Sequence, residues 1–88
     1  MRKLFLDARE MEHPEPLERA IDNLKELDAN SYFYMLHRKE PIPLLALASE
    51  HKLNFISREL SDGNWHILIS PNQSVLLEEF LKEENVSK

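Results

Sequence analysis

The chain is predicted to fold as an α/β (α+β) two-layer sandwich, ordered β-α-β-α-β-β, with a mixed four-stranded sheet and an added C-terminal helix. Three observations carry this expectation. Apolar residues switch along the chain between the two-residue period of strands and the 3.6-residue period of helices. Two helix entries are marked by proline pairs, Pro14 with Pro16 and Pro41 with Pro43, where missing amide protons cost nothing because first-turn amides have no intrahelical partner. The lone glycine, Gly63, falls between two strand-like runs, where a hairpin makes most use of positive φ.

The totals set the frame. A chain of 88 residues has room for one hydrophobic core. Its 42% apolar and 31% charged residues suit a globular domain, and no apolar run approaches the roughly 20 residues of a membrane span. The apolar run at residues 4–6 ends at Asp7, too soon for a signal peptide, so a soluble cytoplasmic protein is expected. The absence of cysteine excludes disulfides, thiolate metal sites and cysteine nucleophiles from this chain. A net charge of -5 argues against a surface that tracks phosphates. Neither nucleic acid nor membrane is therefore expected as a partner.

Taken in order, residues 3–7 read as a short strand, with Leu4 and Leu6 on one face and Phe5 on the other, expected near the centre of the sheet. A polar stretch follows and ends at His13-Pro14-Glu15-Pro16. With Pro14 at the first helical position, His13 falls at the N-cap. Leu17, Ala20, Ile21, Leu24 and Leu27 then recur at helical spacing, with Glu18, Arg19, Asp22 and Lys25 on the wet side. Residues 32–36, Tyr-Phe-Tyr-Met-Leu, have strong strand preference. A right-handed crossover between two parallel strands puts both C-terminal ends at one sheet edge, which brings His37 toward His13.

The second helix is expected to bury Leu44, Leu47 and Ala48, extended by Leu45, and to end near His51 without a glycine cap. Residues 53–60 and 65–69 are two strands of a hairpin, turning at 61–64. Trp65, Ile67 and Ile69 share one face of the last strand and His66 and Leu68 the other, so neither face is wholly polar. The spacing Ser70-Pro71-Asn72-Gln73 matches a capping box, which predicts a third helix from Pro71 with Leu76, Leu77, Phe80 and Leu81 inward. Residues 85–88 are expected to fray.

The run Leu6, Asp7, Met11, Pro14, Pro16, Leu17 resembles the L-D-x-x-G-L-x-C-P-x-P loop and helix of the TusA-like (SirA-like) sulfur carriers. The later run His37-Arg38-Lys39-Glu40-Pro41-Ile42-Pro43-Leu44, followed by Asp62-Gly63, looks closer to a related set of bacterial domains, domain of unknown function family 2249. The resemblance covers roughly residues 3–70. It implies a TusA-like domain at 1–70, with residues 71–88 as a helix packed on or extending that domain. It also implies a working cysteine where this chain has His13, and a loop glycine where it has Glu10. Imidazole cannot carry sulfur as a persulfide, so sulfur relay by this polypeptide alone is ruled out.

The expected function is a small cytoplasmic protein- or ligand-binding module without sulfur-transferase activity of its own. The alternatives are a small-ligand or metal site at the His13 and His37 loop edge, and an accessory protein in sulfur or redox metabolism. Candidate ligand-binding residues are His13, His37, Arg38 and Glu40. For a metal, Asp7, Glu10, Glu12 or Glu40 would have to complete the histidine pair, in a spacing that matches no known metal motif. Arg38 and Lys39 beside two helix starts make a candidate anion pocket, opposed by Asp7, Glu10, Glu12, Glu15 and Glu40. His51 and His66 are expected to lie elsewhere in ordinary roles. Ser31, Ser49, Ser57 and Ser61 lack a paired base, and no triad, nucleophile elbow or phosphate loop is present, so neither enzyme activity nor a cofactor is expected. Phe5, Tyr32 and Tyr34 form an aromatic stripe, expected to be covered by the C-terminal helix or used for a homodimer. The protein partner remains unnamed by the sequence.

Overall fold

The computed structural model describes residues 1–86, with side chains through residue 84. The elements are β1 (Arg2–Asp7), α1 (Glu15–Leu24), β2 (Ser31–His37), α2 (Ile42–Glu50), β3 (Asn54–Glu59), β4 (Trp65–Ser70) and α3 (Leu77–Val86). The sheet order is β1-β2-β4-β3. β1 and β2 are parallel, and β4 is antiparallel to both β2 and β3. The fold is α+β with a mixed four-stranded sheet and three helices, in the expected element order.

Strand alternation divides the core. Phe33, Met35, Ile67 and Ile69 face the side covered by α1 and α2, where Ala20, Leu44 and Ala48 close on them and Leu4, Leu6 and Leu17 pack around the rim. Tyr32, Tyr34 and Leu68 face the opposite side, beneath Leu77 and Leu81 of α3. Tyr32 stacks on Phe80 with centroids 4.6 Å apart. Of the aromatic stripe, α3 therefore covers Tyr32 and Tyr34, whereas Phe5 stays 51% exposed.

Three expectations about the elements need correction. β1 lies at a sheet edge, not at the centre. The central positions go to β2 and β4, whose residues are buried almost throughout, because a strand covered on both faces needs apolar side chains on both. β1 offers Lys3 and Asp7 beside Phe5 on one face. Its place at the edge follows.

The third helix starts at Leu77, not at Pro71. Ser70 cannot serve as its cap. Its hydroxyl donates to the Ser31 carbonyl at 2.9 Å and accepts the Asn72 amide at 3.1 Å, while Asn72 Oδ1 accepts the Ser74 amide. These local turns satisfy the backbone in place of a first helical turn. Leu76 then precedes the helix and is exposed. The helical backbone reaches Val86, and the fraying expected over 85–88 lies, for its last two residues, outside the described residues.

α1 starts one residue later than expected. Pro14 is the N-cap residue, no side chain caps the helix, and Pro16 falls in its first turn. The expectation that His13 caps the helix does not hold, since its side chain makes no cap bond. α2 enters through Pro41 in the same way. It ends in the hydrogen-bond pattern normally built on glycine: the Leu53 amide bonds to the Ala48 carbonyl and the Lys52 amide to that of Ser49, with Lys52 at φ 57. Between β3 and β4, Gly63 takes φ +82, and its amide bonds to the Leu60 carbonyl at 2.9 Å.

Candidate functional site

A cleft of about 800 Å³ opens where the chain leaves the parallel strands and enters α1 and α2. Its walls are the two proline-marked helix entries, and its apolar lining includes Met11, Leu17, Met35 and Leu44. His13, His37, Arg38 and Glu40 all line it, so the crossover does bring the four candidate residues to one place. Glu12 and Lys39 also line it.

The histidines differ in environment. His13 is exposed on the loop before α1. His37 is the last residue of β2 and only 7% exposed. Its Nδ1 accepts the Lys39 amide at 3.3 Å, which places the proton of the neutral ring on Nε2. Burial pushes the His37 imidazole below the ordinary histidine value, and the charges of Lys39 and Arg38 push the same way. His37 is thus a neutral donor at the cleft wall.

The charge around it is mixed. Arg38 and Lys39 are exposed cations beside the start of α2, whose first turn carries no acid. The first turn of α1 carries Glu15 and Glu18, which oppose an anion at that end. Asp7, one of the candidate extra metal ligands, is held by Arg9, whose guanidinium donates at 2.7 and 2.8 Å and keeps the carboxyl below the usual carboxylate range. Among the described residues no three histidine, aspartate or glutamate side chains are grouped to hold a metal ion. The arrangement suits reversible binding through hydrogen bonds and apolar contact.

His51 caps the end of α2 on the surface, away from the cleft as expected. The ordinary role expected for His66 needs correction. It is 3% exposed, with Nδ1 2.6 Å from the Tyr34 hydroxyl and Nε2 3.1 Å from Asp62 Oδ2. Period-two alternation already placed His66 on the face of Leu68; the missing signal was the Tyr34 hydroxyl, which reaches the ring from 32 residues away. Met11 and Met35 were also not singled out as cleft residues, because each reads as core from its own neighbours.

The profile of a family described as "Uncharacterized conserved protein (DUF2249)" matches residues 5–71. The chain is also similar to a crystal structure of a SirA-like protein from Desulfitobacterium hafniense, at 22% identity and a TM-score of 0.68, over 78% of this chain and 97% of that one. That likeness shows the fold. No curated protein matches the chain. No helix among the described residues is long and apolar enough to cross a membrane.

Proposed function

The chain belongs to the uncharacterized conserved family DUF2249, and we propose that it serves as a small cytoplasmic binding module whose cleft between α1 and α2 takes a small ligand or a segment of a partner protein without a covalent step. One observation carries this reading. His37 is buried, yet it lines the cleft and keeps Nε2–H as a donor after Nδ1 has accepted the Lys39 amide. With Nδ1 taken, Nε2–H is the ring's remaining polar group and is open to an acceptor in the cleft. The matching ligand has an apolar body for Met11, Leu17 and Ile42 and an acceptor group for His37, with Arg38 and Lys39 favouring a single negative charge.

Since the chain holds no cysteine, any part in sulfur or redox metabolism runs through a partner that carries the thiol. The test is an NMR titration that follows the imidazole and amide signals with phosphate, sulfite and zinc as separate probes. Millimolar phosphate or sulfite is expected to move His37 and the amides of Arg38, Lys39, Glu40 and Ile42, and His37→Ala to abolish the response. Silence of those signals toward all probes would sink the cleft reading. Saturation by zinc alone would replace it with a metal site.

A further inference from the structure

The first strand reads Lys3-Leu4-Phe5-Leu6-Asp7, a pattern symmetric about Phe5 with the charge inverted between its ends. β1 lies at the sheet edge and pairs on one side only. The Arg2 amide bonds to the Asn30 carbonyl and the Ala8 amide to the Leu36 carbonyl, both at 2.9 Å. In a parallel ladder this alternation turns the backbone groups of even-numbered residues toward β2 and leaves the N–H and C=O groups of Lys3, Phe5 and Asp7 directed outward. The exposed Phe5 ring sits among them, edge-on to Tyr34 at 5.8 Å.

We propose that this edge binds a second copy of the chain, the two β1 strands pairing antiparallel about Phe5. In this register Phe5 lies opposite the partner's Phe5, Leu4 opposite the partner's Leu6, and Lys3 opposite the partner's Asp7. Each pairing joins residues on the same face. Every outward backbone group of the three odd-numbered residues finds its complement, since each hydrogen-bonded pair of an antiparallel ladder exchanges both bonds. A slip of one residue sets Leu4 against Phe5 and mismatches the faces. A slip of two sets Lys3 against Phe5 and strands a charge. The two four-stranded sheets become one continuous sheet.

A lysine on an edge strand ordinarily blocks pairing. Here the antiparallel copy brings a carboxylate to each lysine, and opposite charges directly across a ladder stabilise it. Lys3 already contacts Glu84 at 2.9 Å and Asp7 contacts Arg9 at 2.7 Å, so each contact extends an ion pair into a row of alternating charge. The palindrome selects the occupant. An unrelated strand makes no use of mirror-related ends, whereas a second copy uses both. No β1 residue lines the cleft, so this inference stands apart from the proposed ligand site.

The test is sedimentation of the full chain across a concentration series, with amide hydrogen exchange on the same samples. A dimer is expected at about 100 µM, with exchange slowed at Lys3, Phe5 and Asp7 relative to dilute protein. Lys3→Asp and Asp7→Lys alone each weaken the dimer about tenfold or more, since two opposite-charge contacts become like-charge ones. The double exchange restores it, although it restores neither the Lys3 contact with Glu84 nor the Asp7 contact with Arg9. A monomer at about 1 mM overturns the proposal, as does a dimer that ignores the single exchanges, a double variant that stays monomeric, or protection confined to other segments. The exchange measurement on the unaltered chain decides the matter even where a variant fails to fold.

Discussion

The Tyr34 hydroxyl and the Nδ1 of His66 lie 2.6 Å apart on the α3 side of the sheet, diagonally across the β2 and β4 pair, where Tyr34 faces Leu68 and His66 faces Leu36. The Nε2 of the same ring is 3.1 Å from an Asp62 carboxylate oxygen. An ionised carboxylate only accepts, so Nε2 carries a proton; in the neutral ring Nδ1 then accepts and Tyr34 donates. Tyr34 and His66 from the two central strands thus satisfy one another inside an apolar layer, while Asp62 on the exposed hairpin turn holds the ring from outside. Such a network favours one packing of the layer, because any shift leaves a buried group unpaired.

Tyr34 dominates the expected alkaline response. Burial lifts its phenol from 10.0 to about 12, with the negative charges of Glu84 and Asp62 adding to the effect. The unfolded chain loses this proton first, so between those values it binds fewer protons than the folded chain and stability falls as pH rises. The contribution is fully present below pH 10, and its loss across the window is roughly 2–3 kcal/mol. Tyr32 shifts in the same direction, so the Tyr34→Phe variant separates the two. At neutral pH that variant is expected to lose about 1–3 kcal/mol in urea unfolding, since His66 Nδ1 keeps no donor, and to show a shallower alkaline loss.

His37 sets the acid response of the cleft. Its folded-state value lies below 6.5, through burial first and then Lys39 and Arg38. As pH falls, the unfolded chain takes up the proton before the folded one, so this contribution is present above pH 6.5 and is lost as pH drops through the lower folded value. Proton NMR of the imidazole is expected to give a midpoint below 6.5 for His37. In the same experiments His13→Ala should leave stability within about 0.5 kcal/mol, because that exposed side chain caps nothing.

Lys52 marks a place where stability can be gained. It is a non-glycine residue at φ 57, immediately after α2, and its left-handed backbone costs energy that glycine avoids. Lys52→Gly keeps both backbone bonds of the helix end and is expected to raise stability by about 0.5–1 kcal/mol in thermal or urea unfolding. A loss instead would mean that the extra freedom of glycine in the unfolded chain outweighs the relief of the left-handed conformation.

The element order was readable because its signals are local. The proline pairs mark both helix entries, Gly63 marks the hairpin, and alternation in β4 correctly divides Trp65, Ile67 and Ile69 from His66 and Leu68. The candidate site was readable in part for the same reason: a parallel crossover leaves the ends of β1 and β2 together, so His13, His37, Arg38 and Glu40 share one cleft. The errors fall where a partner is distant in the chain. Ser70 looks like a helix cap until the Ser31 carbonyl, 39 residues away, takes its hydroxyl proton. His66 looks incidental until Tyr34 reaches it from 32 residues away.

By itself the sequence determined the family, the succession of elements, the exclusion of thiol chemistry and the palindromic pattern of the first strand. Tertiary structure decided that β1 is an edge, that α3 covers Tyr32 and Tyr34, and that His37 rather than His13 is the buried imidazole of the cleft. Periodicity and turn residues act over a few neighbouring positions, and a sequence displays them directly. Burial, hydrogen-bond competition and strand order depend on which distant segments arrive in contact, and only the assembled sheet and helices settle those contacts.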